Sequence, residues 1–347
     1  MFASLEGCAT RRFGGGDGCD DRDLFAVSEV MNLRALKSDA LLLLTAIIWG
    51  GGFLAQRIGM ESVGPFTFNA IRFALGSISL VPVILLVRKR SSIKGRVAEH
   101  TDSRKMVLGG VATGLALFMG ATLQQVGIVY TTAGKAGFIT GLYVVVVPLI
   151  GLFWGQRPNR GTWAGACTGA AGLYLLSVTE DFTISFGDFL VLIGAFFWAC
   201  HVLVIGWLSP RMDPIVLSFL QFAACSLFSL IAAVGTETMT VSSITAATVP
   251  ILYGGLVSVG VAYTLQVVAQ RDAHPAHAAV LLSMEAVFAA LGGCLILNES
   301  LPLRGLWGCG LMLSGMLISQ LSEYLFHQKQ AKTYSIKAEA SQRRTAV

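Results

Sequence analysis

From Asp39 to Glu323 the chain is a close succession of apolar runs separated by short polar breaks. A helix needs about 20 apolar residues to cross about 30 Å of hydrocarbon. Ten such runs can be set out, at approximately 39–57, 66–87, 106–128, 132–154, 161–178, 188–207, 214–234, 247–269, 275–297 and 304–322. Inside lipid each segment must satisfy its own backbone groups, and the runs are too long for barrel strands, so helices are expected. Composition points the same way. With 54% hydrophobic and only 13% charged residues, against about a quarter charged in soluble domains, the chain has too little polar surface for a water-soluble globule. Its cysteines form no C-x-x-C pair, and Cys167, Cys200, Cys225, Cys294 and Cys309 lie in apolar runs. They read as reduced packing residues rather than bridges or a metal cage.

Lys and Arg alternate sharply between the two ends of the runs. With the N-terminus inside, eighteen fall in inner segments, seven of them in 88–105, while only Arg57 and Arg304 fall in outer ones. This bias predicts cytoplasmic N- and C-termini. The net charge of +5 is thereby explained by topology, and no nucleic-acid partner is expected. Residues 1–36 carry no signal-peptide pattern and are expected to be disordered, with Met31 an alternative start. The basic tail 324–347 is expected to be a disordered cytoplasmic segment.

The second half of the chain restates the first. At an offset of 149, Asp39 falls on Asp188, Trp49 on Trp198, Pro65 on Pro214, Arg72 on Gln221 and Phe73 on Phe222. At about 142, Thr122-Leu123-Gln124 meets Thr264-Leu265-Gln266, and Gly165 and Gly172 then meet Gly308 and Gly315. Each unit holds five runs, in 37–178 and 179–323. An odd number of crossings makes the second unit enter from the opposite face, so the fold class expected is an all-α integral membrane protein with two inverted five-helix repeats.

The ten short spans, Trp49-Gly50-Gly51-Gly52-Phe53 in the first, Arg72-Phe73 in the second, Gly155-Gln156 and Asn298-Glu299 before the glycine-spaced fifth and tenth, and the stretch from Gln125 to Thr140 followed by Tyr143 and Pro148, resemble the drug/metabolite transporter superfamily, EamA type. The resemblance runs from residue 37 to 323. It implies a bacterial inner-membrane permease, often an exporter of amino acids or related metabolites. The chain departs from the family pattern at Gln156, where Glu is usual, and at Glu285-Ala286, where Glu-Pro is often found.

Ionisable or amide side chains inside apolar runs are costly and mark candidate sites. Glu285 lies about eleven residues into the ninth run, or about 16 Å along a helix, close to the midplane; its repeat partner is Tyr143. A carboxyl there suits a coupling group that takes up and releases a proton, and equally a satisfied structural acid. Lys135 and Arg72 lie nearer the outer face. The lysine either reaches inward or snorkels, and the arginine suits a carboxylate of the substrate or of the protein. Gln124, Gln266 and Gln221 read as ligand-binding amides or interhelical glue. Trp49 and Trp198 are too deep for an interfacial belt, and His201 follows Trp198 by one turn. They read as substrate-cavity wall or as packing.

Alternating access between inverted repeats makes a secondary transporter the expected function, and efflux as its direction is what the family resemblance alone implies. An enzyme would need a nucleophile, metal cluster or paired carboxylates, and a channel would need a polar stripe or charged ring; neither pattern is present in the sequence. There is no Walker motif, no cofactor is expected, and the partners expected are a small-molecule substrate and the bilayer, with a homodimer left open.

Overall fold

The computed structural model describes residues 21–93, 103–131, 133–177, 185–297 and 303–345. Lys135's side chain, Asn298, Glu299 and residues 1–20 lie outside the described residues. Among those described, the secondary structure is entirely helical: α1 (Asp21–Gly59), α2 (Pro65–Ile93), α3 (Ser103–Tyr130), α4 (Ala133–Gly141), α5 (Tyr143–Phe153), α6 (Arg160–Ser177), α7 (Phe186–Leu208), α8 (Pro214–Thr236), α9 (Val241–Ala246), α10 (Thr248–Leu252), a π-helical stretch (Tyr253–Tyr263), α11 (Thr264–Ala269), α12 (Pro275–Leu282), α13 (Glu285–Leu297) and α14 (Leu303–Thr345).

Eight segments are long and apolar enough to cross a membrane, from Leu33–Gly59 to Pro275–Gly292. α6 and α14 coincide with the other two expected spans but fall short of that apolarity, because Gly, Ala, Thr and Ser dilute their leucines. The fourth and ninth expected spans are not single helices. One breaks at Leu142 and the other at Ser283–Met284. α1 begins well before residue 37 and α14 continues to Thr345, where sequence alone suggested irregular ends. Both flanks extend an apolar helix with good helix formers such as Leu, Arg, Lys, Gln and Ala.

Apolar side chains such as Leu86, Phe153, Trp207 and Ile231 point outward, as a lipid-facing surface requires, while polar groups gather inside. α2 packs along α8, its counterpart in the repeat, and α6 along its counterpart α14. α3 packs on α7, as α1 packs on the π-helical stretch and α11. Small residues set these contacts. At Gly50 an added Cβ would stand 2.6 Å from Phe288 Cβ, and at Gly51 2.6 Å from Tyr253 Oη, so the glycines after Trp49 let α1 touch α13 and the π-helical stretch. Away from these contacts, His277 on α12 donates through Nε2 to Asp39 Oδ1 on α1 (2.9 Å), and its Nδ1 meets Ser319 Oγ on α14 (2.9 Å). Asp188, the repeat partner of Asp39, does a different job: it closes a capping box with Ser185 at the start of α7.

Candidate functional site

The inner ends of the two helix breaks meet at a partly open cavity. Thr140 and Tyr143 flank the break between α4 and α5, and Leu282 and Glu285 flank the break between α12 and α13; all four line the cavity. These residues are 142 positions apart in pairs. Trp49 with Trp198, Phe53 with Val202, and Gln124 with Gln266 also line it, at the offsets by which the chain repeats. Gln56, Arg72, Ser258 and Tyr263 complete the wall. Ser258 and Tyr263 come from the π-helical stretch, whose widened turn rotates side chains out of α-helical phase, a device common at functional sites.

Gln124 is fully engaged. Trp198 Nε1 donates to its Oε1 at 2.9 Å, Thr140 Oγ1 donates to the same oxygen at 3.3 Å, and its Nε2 donates to Gln56 Oε1 at 3.1 Å. Indole N–H can only donate, so the amide orientation follows from the bond. This residue ties α3 to α1, α4 and α7. Gln266 Nε2 donates to Gln270 Oε1 at 3.1 Å, and Gln270 Nε2 donates to the Val202 carbonyl at 3.0 Å. Gln266 Oε1 is buried without a partner, as is Trp49 Nε1. Each such orphan costs about 1–3 kcal/mol, a cost that a bound polar ligand removes.

Tyr143 Oη donates to Glu285 Oε1 at 3.3 Å. Both are buried, so the acid meets a neutral hydroxyl rather than a cation. Arg72 is also buried, and it forms no ion pair or hydrogen bond among the described residues. Its guanidinium carbon lies 4.9 Å from the Phe73 ring centroid and 5.3 Å from that of Phe68. The rings partly offset its charge, but its Nε remains orphaned. An unpaired cation beside a cavity is a ready partner for an anionic group. Tyr263 is the aromatic hub: Trp49 packs on it at 4.4 Å between centroids, and Trp198 stacks at 6.0 Å.

Of the residues singled out from sequence, Trp49, Arg72, Gln124, Tyr143, Trp198, Gln266 and Glu285 share this cavity. His201 and Gln221 stand behind its wall. His201 Nε2 lies 2.8 Å from Gln221 Oε1, and the imidazole packs edge-on to Trp198 and Tyr263. Sequence reasoning missed Phe53, Gln56, Thr140, Val202, Ser258, Tyr263 and Leu282. Helical spacing would have found several: Phe53 is one turn beyond Trp49, and Thr140 and Leu282 lie one turn before Tyr143 and Glu285. Among the described residues, no three His, Cys, Asp or Glu side chains converge to hold a metal.

A multi-pass helical membrane protein with an aromatic and polar cavity between its helices is the class this geometry defines. The chain belongs to the EamA-like transporter family, which it matches twice in succession, over residues 36–178 and 185–320. It is 33% identical over 290 residues to an uncharacterized transporter of Archaeoglobus fulgidus, covering 83% of this chain and 87% of that one. The uncharacterized inner membrane transporter YedA of Escherichia coli is 23% identical, covering 82% and 90% of the two chains. The uncharacterized transporter YoaV of Bacillus subtilis is 22% identical, covering 79% and 93%. In fold, the chain is similar to a crystal structure with a TM-score of 0.66 at 17% identity, covering 83% of this chain and 98% of that one.

Proposed function

We propose that this protein is a secondary-active exporter that moves a small amphipathic metabolite through the cavity by alternating access between two inverted five-helix repeats. α6 and α14 are taken as the fifth and tenth crossings. The observation that carries the reading is that repeat-equivalent residues from both halves line one cavity, with a helix broken at the same place in each half. Corresponding interruptions in two halves mark the binding site of inverted-repeat transporters. The contact between α6 and α14 supports the inversion: a Cβ at Gly165 would stand 2.6 Å from Gly315 O, and one at Gly172 2.6 Å from Gly308 O. Gly165 and Gly308 are repeat partners, as are Gly172 and Gly315, so the two contacts are exchanged by a two-fold axis across antiparallel helices.

Arg72 receives a carboxylate or similar anionic group, Trp49, Trp198 and Tyr263 take the apolar body, and Glu285 is the group that takes up a proton in the cycle. Amino acids and related zwitterions fit this chemistry. The test has two arms. In a thermal-shift screen of purified protein, amphipathic anions and zwitterions raise the melting temperature, while matched cations do not, and Arg72→Gln abolishes the shift. In proteoliposomes the same compounds show saturable counterflow that Arg72→Gln abolishes. Flux without saturation or counterflow would mean a channel, and a chemically altered compound would mean an enzyme. A melting-temperature shift kept by Arg72→Gln would remove the assignment of the anion to that side chain.

A further inference from the structure

The cavity holds two copies of one indole–amide pair, and they are in different states. Trp198, Gln124 and Thr140 are the repeat equivalents of Trp49, Gln266 and Leu282. The first copy is closed, with the indole N–H and the threonine hydroxyl both donating to Gln124 Oε1. In the second, the same indole N–H and the same amide oxygen are present, buried and unpartnered.

The glutamines are anchored alike. Gln124 Nε2 is held by Gln56 Oε1 at 3.1 Å, and Gln266 Nε2 by Gln270 Oε1, also at 3.1 Å. Gln270 itself is fixed by donating to a backbone carbonyl, which can only accept, so it presents its oxygen to Gln266. In both copies the amide nitrogen is tied down and Oε1 is the atom whose partner changes. The two indoles differ in kind as well: Trp198 is 7% exposed and bonded, whereas Trp49 leans on Tyr263 at 4.4 Å with its N–H unused. The chemistry is shared and the conformation is not.

Two similar halves that exchange conformations hand each indole–amide pair the other's state. We propose that Trp198–Gln124 and Trp49–Gln266 are alternative hydrogen bonds, one made in each access state, and that the broken bond offers its donor and acceptor to the polar end of the substrate. The inference rests on the alternating-access reading given above. Gln124 and Gln266 then act as positioning residues for the two indoles, and each bond stabilises one direction of opening.

Methionine keeps the volume of glutamine and removes the acceptor. Gln124→Met therefore disfavours the state described here, and Gln266→Met disfavours the opposite one. The readout is a cysteine placed in the cavity wall, Val202→Cys, reacted in proteoliposomes with a membrane-impermeant maleimide applied from either face; the same proteins without it give the background. The ratio of the two labelling rates moves in opposite directions in the two variants, by about three- to tenfold. Removing the donors reproduces the signs: Trp198→Phe follows Gln124→Met, and Trp49→Phe follows Gln266→Met. These donor variants also serve where a methionine variant does not fold. Shifts of one sign in both halves, or no shift, would overturn the exchange. Labelling of the parent protein from one face only, with or without substrate, would instead sink alternating access itself.

Discussion

Glu285 is the acid that lines the cavity, and its carboxylate is met by the hydroxyl of Tyr143 rather than by a cation. A group so placed changes charge without breaking an ion pair. Glu285→Gln keeps the shape and the acceptor oxygen for Tyr143 but cannot ionise. The expected result is counterflow retained in part, within about tenfold of the parent because one neutral hydrogen bond is spared, with its dependence on pH abolished. Uptake measured across a pH series in both proteins checks it; an unchanged pH profile in the variant would remove Glu285 as the coupling group. Such residues were legible because an acid, an amide or a deep indole stands out in an apolar run. Phe53, Val202 and Leu282 were not, because one apolar side chain among many carries no contrast. Gln56 sits near the end of its run, where polar residues are ordinary. Only placing the breaks and the π-helical stretch shows which faces turn inward.

Helices were legible from run length, but their interruptions were not. Nothing in Gly141-Leu142-Tyr143 or Ser283-Met284 demands a break by propensity, and Pro148 lies beyond the first one. Glycine spacing carried more than it disclosed. Gly161, Gly165 and Gly169 form one small-residue stripe on α6, yet an added Cβ would run into α14 only at the first two, while Gly169 meets Gly315 of α14 with its backbone. An added Cβ would stand 2.1 Å from Ser322 Cβ at Gly161, while at Gly169 its nearest neighbour would be Val144 Cγ2 at 4.0 Å. Gly165→Val pushes against the Gly315 carbonyl and Ser319, backbone that cannot yield cheaply. It should destabilise by about 1–3 kcal/mol. Gly169→Ala should be neutral or slightly stabilising, since alanine is the better helix former by about 1 kcal/mol. Melting temperatures of the two variants in detergent separate them. Equal losses at both sites would mean that α6 and α14 do not pack through the face described.

The exchange of glycine contacts between α6 and α14 is what inverted halves would produce, but it does not set how many times the chain crosses the bilayer. That number turns on α6, which is less apolar than its neighbours and packs along α14. Between Lys89 at the end of α2 and Ser242 on α9 the chain traverses α3, the broken pair α4 and α5, then α6, α7 and α8. If α6 crosses, the count is odd and the two residues face opposite compartments. If it lies at one surface, the count is even and they share one. Inversion of the repeats requires the odd count, because a unit with an even number of crossings would leave both halves in the same orientation and their antiparallel pairing would have no membrane counterpart. Both residues are exposed. Lys89→Cys and Ser242→Cys, labelled with an impermeant maleimide in sealed right-side-out vesicles and again after permeabilisation, should therefore give opposite patterns, with Ser242→Cys reacting before permeabilisation and Lys89→Cys only after it. The same pattern at both positions would leave α6 outside the bilayer, dissolve the pseudo-symmetric cavity into a chance arrangement, and with it remove the physical basis for two access states of equal construction.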